Sequence, residues 1–234
     1  MVKLFIASPA YDGTVHVPFA ISLALTCRFL AGCGIPNEIR INMSGSLLVA
    51  ERNRLVKAFL ESDCTHMLCL DADLGWHSEV VKKFIDYDEP FVAGVYPSRK
   101  ETCFVFRPAL KEDGSIRQSE KGLLEMEYIP AGFMLIRREV FEAIIAKFPE
   151  LYFKPKLPEG NPEDGHCFFN TEIWEGEFWG EDYYFCRKAR EAGYKIWVDP
   201  TVQFNHAGTV GCLMNALTDK KDEAKKTKEE GKLT

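Results

Sequence analysis

Short apolar runs alternate with amphipathic stretches along the first hundred residues. The runs are continuous enough to predict strands covered on both faces, at Lys3–Ser8, Glu38–Met43, His66–Leu70 and Pro90–Tyr96. Apolar residues at helical spacing predict helices between them, at Val15–Ala31, Ser46–Glu61 and Ser78–Tyr87. Strands and helices that alternate in this way predict a parallel, doubly wound sheet.

The second half of the chain has a different pattern. It predicts strands at Cys103–Leu110, Leu123–Ile129, Phe133–Ile136 and Tyr194–Val198, and helices at Arg138–Lys147 and Glu181–Ala192. The segment from Lys154 to Glu177 is rich in proline and glycine and too long for a plain connector. Segments of this length are usually lids or binding loops, and we expect an acceptor lid here.

Composition limits the possible classes of protein. The chain has 234 residues, of which 46% are hydrophobic, so it can form one large α/β domain. A net charge of −6 argues against nucleic-acid binding. The longest weakly polar stretch, Val17–Cys27, is far shorter than the ~20 residues of a membrane span. With no secretory signal and no Cys-x-x-Cys pair, we expect a cytoplasmic protein with reduced cysteines.

Two acidic residues follow the third predicted strand directly, in Asp71-Ala72-Asp73. Ligands of open α/β sheets bind beyond the carboxyl ends of the strands, and alternation along an extended chain turns both carboxylates to one side. Two carboxylates so placed suit Mg²⁺ or Mn²⁺ bridged to phosphate oxygens. Taken alone, the pattern is more typical of a helix N-cap beside a surface acid than of a metal site.

A second acidic motif and a histidine change the balance. Glu181 and Asp182 follow Gly180 at the start of a predicted helix, and His206 comes after the last predicted strand. An acid pair at a helix start can simply satisfy the helix dipole. Together with Asp-x-Asp, however, these residues fit a metal-assisted transfer site that has its own base.

The three motifs together resemble those of GT-A glycosyltransferases, close to the family 2 group. The resemblance rests on segments 65–73, 180–187 and 205–208 and runs from about residue 3 to 210. It implies the GT-A fold, a single Rossmann-like mixed sheet with helices on both faces. It also implies a domain over residues 1–212, with a nucleotide-sugar-binding half (1–100) and an acceptor half (101–212). Residues 213–234 would then be a charged helix or tail.

The resemblance also implies the roles of the motif residues. Asp71 and Asp73 would hold Mn²⁺ or Mg²⁺ on the diphosphate of a UDP- or GDP-sugar, and His206 would complete the metal shell. Asp182 matches the usual base of inverting members, which would deprotonate a hydroxyl of a glycan or another acceptor. Glu181 would bind or orient that acceptor.

Further residues are expected to bind the two substrates. Those assigned to the nucleotide sugar are Ser8, Pro9, Ala10, Tyr11, Asp12, Arg52, Asn53, Ala72 and Lys100. Those assigned to the acceptor are Trp179, Gly180 and Glu181. Plain structural roles remain open: a solvated helix face for Arg52 and Asn53, a surface cation for Lys100, and core packing for Trp179.

The motifs fit two other classes of enzyme less well. Haloacid-dehalogenase phosphatases carry Asp-x-Asp near the first strand, whereas here it closes the third. Nucleotidyltransferases should show a glycine-rich, arginine-containing loop after the first strand, which residues 8–14 lack. A retaining glycosyltransferase of the same fold and a non-catalytic nucleotide-sugar-binding domain remain the alternatives.

Overall fold

The computed structural model describes residues 1–43, 47–99, 103–154 and 164–218. The predicted site residue Lys100, part of the predicted lid (155–163) and most of the charged tail (219–234) lie outside these ranges. The strands are β1 (Leu4–Ala10), β2 (Asn37–Met43), β3 (His66–Leu70), β4 (Leu74–Trp76), β5 (Phe91–Ala93), β6 (Arg107–Pro108), β7 (Leu124–Tyr128), β8 (Phe133–Arg137), β9 (Tyr152–Phe153), β10 (Gly165–His166), β11 (Glu172–Trp174), β12 (Glu177–Trp179), β13 (Ile196–Val198), β14 (Gln203–His206) and β15 (Thr209–Cys212). The helices are α1 (Val17–Gly32), α2 (Leu48–Glu61), α3 (Val80–Asp86), α4 (Arg138–Lys147) and α5 (Glu181–Glu191).

A mixed eight-stranded sheet forms the centre of the molecule, in the order β2-β1-β3-β8-β5-β13-β7-β6. β1 is parallel to both β2 and β3, as predicted. The strands of the first hundred residues are nevertheless not continuous, because β8 lies antiparallel between β3 and β5. Its residues from Phe133 to Ile136 are buried, so it suits the middle of the sheet. An apolar run indicates such burial but not the direction of the strand.

Helices cover both faces of this sheet, as expected for the α/β class. Alternation along β3 sends Leu68 and Leu70 into the core beneath α1 and α3, and Met67 and Cys69 into the core beneath α2, α4 and α5. Aromatic residues fill much of the second core, where the rings of Phe169 and Phe185 stack 4.7 Å apart. No helix in the described ranges is both long and apolar enough to cross a membrane.

A small second sheet joins residues 203–212 to the segment that follows Asp-x-Asp. β4 follows Asp73 at once and pairs with β14, which pairs in turn with β15, and the sequence pattern predicted none of these three strands. β4 has only three residues, including Gly75, too few to show a period. In the described part of the predicted lid, β10 pairs with β9, which lies just before the lid, and β11 pairs with β12.

Candidate active site

A cavity of about 330 Å³ opens where β1 and β3 end and where β8 and α5 begin. Because β8 runs against β3, the start of β8 lies at the same edge as the end of β3. The cavity is lined by Pro9, Ala10, Tyr11, Asp12, Thr14, His16, Leu48, Arg52, Asp71, Ala72, Asp73, Tyr96, Arg99, Ala131, Glu181 and Asp182. The tertiary structure thus brings both acidic motifs, far apart in sequence, to one site.

Asp71 is held from two sides. Arg52 Nη2 donates to Asp71 Oδ1 at 2.7 Å, and the Tyr96 hydroxyl donates to Asp71 Oδ2 at 3.1 Å. The same hydroxyl accepts a hydrogen bond from the Gly132 amide at 3.1 Å. A Cβ atom at residue 132 would lie 2.4 Å from Asp71 Oδ2, so only glycine fits beside this carboxylate.

Asp73 lies next to His206 because β4 and β14 pair. Arg99 Nη2 is 2.6 Å from Asp73 Oδ2, and His206 Nε2 is 3.2 Å from it. Despite this proximity, the buried Oδ2 atom accepts no hydrogen bond of acceptable geometry. Burial alone would raise the pKa of Asp73, but His206 and Arg99 lower it overall.

The side chains at this point offer the types of donor that suit a divalent cation. His206 Nδ1 is 2.7 Å from the Pro97 carbonyl oxygen. In the neutral ring, a proton on Nδ1 leaves the Nε2 lone pair facing Asp73 Oδ2. A backbone carbonyl that accepts from the other ring nitrogen commonly orients a metal-binding histidine in this way. Carboxylate and imidazole donors suit Mn²⁺ or Mg²⁺. Asp71, Asp73 and His206 do not, however, bring three ligand atoms within 4.8 Å of one another.

Glu181 and Asp182 form the first turn of α5. Glu181 Oε1 is 3.5 Å from Arg52 Nε, so the second motif is linked to the first through one guanidinium group. Asp182 Oδ1 accepts a hydrogen bond from the Tyr183 amide at 2.8 Å. Burial and the neighbouring Glu181 raise the pKa of the Asp182 carboxyl to about 6. A carboxylate with such a pKa is charged at neutral pH and is a stronger base than an exposed aspartate.

The turn after β1 forms the other end of the cavity. Pro9, Ala10, Tyr11 and Asp12 all line it, and Tyr11 is 73% exposed, so its ring is accessible to a ligand. Asp12 Oδ1 accepts from both the amide and the hydroxyl of Thr14, which fixes the turn.

Several predicted residues contribute no side chain to this cavity. Ser8 is fully buried in β1. Asn53 turns away and bonds both backbone groups of Phe169, at 2.8 Å and 2.9 Å. Trp179 is buried against Tyr128, with ring centroids 4.6 Å apart, so core packing is its role in the fold. Gly180 is the N-cap residue of α5.

The cavity also contains Tyr96 and His16, for which the sequence pattern predicted no role. Tyr96 follows β5, and His16 precedes α1, where its amide donates to the Ala72 carbonyl at 2.9 Å. Their position after the carboxyl ends of strands is the signal that could have identified them.

Comparison with known proteins concerns the fold only. No protein-family model matches the chain, and no curated protein matches its sequence. The chain resembles the catalytic domain of Drosophila β1,4-galactosyltransferase 7, with a TM-score of 0.47 and 16% identity over 85% of this chain. It resembles GalNAc-T7, solved with UDP, GalNAc and Mn²⁺, with a TM-score of 0.47 and 12% identity over 88% of this chain. It spans 65% and 43% of those two chains.

A third similar structure belongs to another class of transferase. It is a protein from Bacillus anthracis named for glucose-1-phosphate thymidylyltransferase activity, with a TM-score of 0.44 and 13% identity over 89% of this chain and 91% of that one.

Proposed function

We propose that the chain is a metal-dependent glycosyltransferase that moves a sugar from a nucleoside-diphosphate sugar to an acceptor hydroxyl. The observation that carries this proposal is the convergence of Asp71, Asp73, Glu181 and Asp182 on one cavity at the carboxyl edge of the sheet. Such a transfer requires a pair of carboxylates that can hold a metal ion on the nucleotide sugar. It also requires a separate carboxylate of raised pKa that can accept a proton.

The charge of the cavity supports a metal-bound donor. Five carboxylates line it against two guanidinium groups, so a diphosphate alone would meet a surface of its own sign. Asp73, His206 and Asp71 are the residues that would hold Mn²⁺ or Mg²⁺. When bound, the ion supplies Lewis-acid neutralisation of the departing diphosphate. Tyr11 and the turn fixed by Asp12 would contact the nucleoside.

Asp182 would act as the general base. Its carboxylate would take the proton from an acceptor hydroxyl as that oxygen attacks the anomeric carbon, which gives inversion. General-base catalysis of this kind contributes typically ~10²–10⁴-fold to the rate. Glu181 precedes the base and would orient the acceptor, a glycan or another hydroxyl compound.

The test is a panel of UDP- and GDP-sugars with Mn²⁺, read by donor hydrolysis and thermal shift. We expect a response to at least one donor that is abolished by EDTA and by Asp73→Asn, and left intact by the surface control Asp86→Asn. The absence of any metal-dependent response would contradict the proposal.

Asp182→Asn tests the mechanism separately. We expect donor binding to remain, with transfer lowered by at least ~10²-fold. Transfer near the wild-type rate would remove the base role and favour a retaining mechanism.

A further inference from the structure

Arg52 lies between the two acidic motifs. It is carried on α2 and is only 5% exposed. Nη2 is 2.7 Å from Asp71 Oδ1, and Nε is 3.5 Å from Glu181 Oε1. One buried cation is therefore shared by a carboxylate from each motif, and no further ion pair to Arg52 occurs within the described ranges.

The guanidinium group of Arg52 also contacts an aromatic ring. Its central carbon lies 5.7 Å from the centroid of the Phe169 ring. Asn53, the next residue of α2, fixes the backbone of Phe169 through two hydrogen bonds. Two consecutive residues of one helix thus hold the cation and the ring against which it lies.

The electrostatics agree with a structural link. Burial acts to lower the pKa of Arg52, but Asp71 and Glu181 raise it overall, so the guanidinium stays charged. Removing either side of a buried ion pair strongly destabilises the fold, because the remaining charge is left buried without a partner. Exchange of these carboxylates for a phosphate group would therefore leave Asp71 and Glu181 without their cation and disturb both motifs.

We propose that Arg52 is a positioning residue, which couples Asp71 on the donor side to Glu181 beside the base, and that it is not a ligand of the nucleotide sugar. The inference rests on the proposed function for its kinetic consequence. The contact to Glu181 is an ion pair without a hydrogen bond, and its attraction opposes movement of Glu181 and the following Asp182 away from Asp71. Without Arg52, no cation would offset the negative charges of Asp71 and Glu181.

A thermal double-mutant cycle tests the link without any activity measurement. The variants are Arg52→Met, Glu181→Gln and the double variant. Arg52→Met leaves Glu181 without its cation, so we expect the melting temperature to fall by about 5 °C and the double variant to recover part of that loss. Arg54→Met is the matched control, because Arg54 is on the same helix, is partly exposed and, among the residues that the structure describes, forms an ion pair with Glu51 alone. If Arg52→Met does not fold, Arg52→Lys replaces it in the cycle.

Steady-state kinetics test whether Arg52 is a positioning residue. The donor is the nucleotide sugar that the wild type accepts. We expect Arg52→Met to lower kcat by about 10²-fold while the KM for the donor changes less than ~3-fold. Binding of UDP or GDP with Mn²⁺, measured by calorimetry, should likewise stay within ~3-fold. Arg52→Lys keeps the charge but not the forked geometry, so we expect partial rescue of kcat.

Two results would overturn the inference. Additive melting shifts in the cycle would show that Arg52 and Glu181 are not coupled. A large rise in the donor KM or in the nucleotide Kd with kcat preserved would make Arg52 a donor ligand. If the wild type transfers no sugar, the proposed function fails, and the thermal cycle and nucleotide calorimetry still decide whether Arg52 links the motifs.

Discussion

At the scale of single residues, the site depends on carboxylates whose environments differ. Asp182 has a pKa raised to about 6 by burial and by Glu181, whereas His206 and Arg99 lower the pKa of Asp73 against the effect of burial. A raised pKa suits a proton acceptor, and a lowered one suits a carboxylate that stays charged beside a cation. The two acids are thus suited to the different tasks that we propose for them.

The pKa of Asp182 predicts a pH profile. A general base acts in its deprotonated form, so kcat/KM should be level above about pH 7 and fall about tenfold per pH unit below pH ~6. The measurement is initial rate against pH at saturating Mn²⁺, with recovery of activity on return to neutral pH as the control for unfolding. A profile that stays flat down to pH 5 would contradict the assignment.

Gly132 provides the second prediction at this scale. In Gly132→Ala the new Cβ would lie 2.3 Å from the Tyr96 hydroxyl and 2.4 Å from Asp71 Oδ2, so the bond between them must break or shift. We expect kcat/KM to fall at least ~10-fold, since small displacements in a site are costly. Gly32→Ala is the control, because nothing lies within 4 Å of its added Cβ, and it should leave the rate unchanged.

At the scale of elements, α2 organises the site through its inward face. Arg52 reaches the acidic motifs, and Asn53 reaches the segment that leads to β11. The sequence places these two residues side by side but cannot show that they point to different partners. That difference follows from the 100° rotation between successive residues of a helix.

Asn53→Ala tests the structural role of this residue. The change leaves the buried Phe169 amide without its partner and leaves the Phe169 carbonyl with only the weak thiol donor of Cys167, at 3.4 Å, so we expect a loss of about 2–4 kcal/mol in the free energy of unfolding. Urea titration measures it, and Glu61→Ala on the exposed end of the same helix should stay within about 0.5 kcal/mol of wild type. If Asn53→Ala lowered the free energy of unfolding no more than Glu61→Ala does, the structural role of Asn53 would be contradicted.

At the scale of the whole molecule, the small sheet is joined to the central sheet through Phe204. Its ring packs against Phe133, with centroids 4.9 Å apart, and lies so close to Gly94 that a Cβ there would be 2.2 Å from the ring. His206 is two residues further along the same strand, so packing in the core fixes the position of a predicted metal ligand.

Removing that ring should affect both stability and metal binding. Phe204→Ala is expected to cost about 3–5 kcal/mol, which corresponds to a fall of about 10 °C or more in the melting temperature. Calorimetry measures the melting temperature, and titration with Mn²⁺ should show weaker binding. Phe178→Ala, at a position that is 73% exposed, is the matched control and should change neither quantity. Unchanged Mn²⁺ affinity in Phe204→Ala would argue against His206 as a ligand.

The sequence by itself determined the α/β class, most of the helices and strands, and the residues of both acidic motifs. These follow from local pattern: burial of a strand on both faces, helical spacing, and acids at strand and helix ends. Only the tertiary structure decided that β8 enters the sheet antiparallel, that Arg52 bridges Asp71 and Glu181, and that Asn53 and Trp179 stabilise the core. Each of these depends on contacts between residues distant in sequence, whose partners no local pattern specifies.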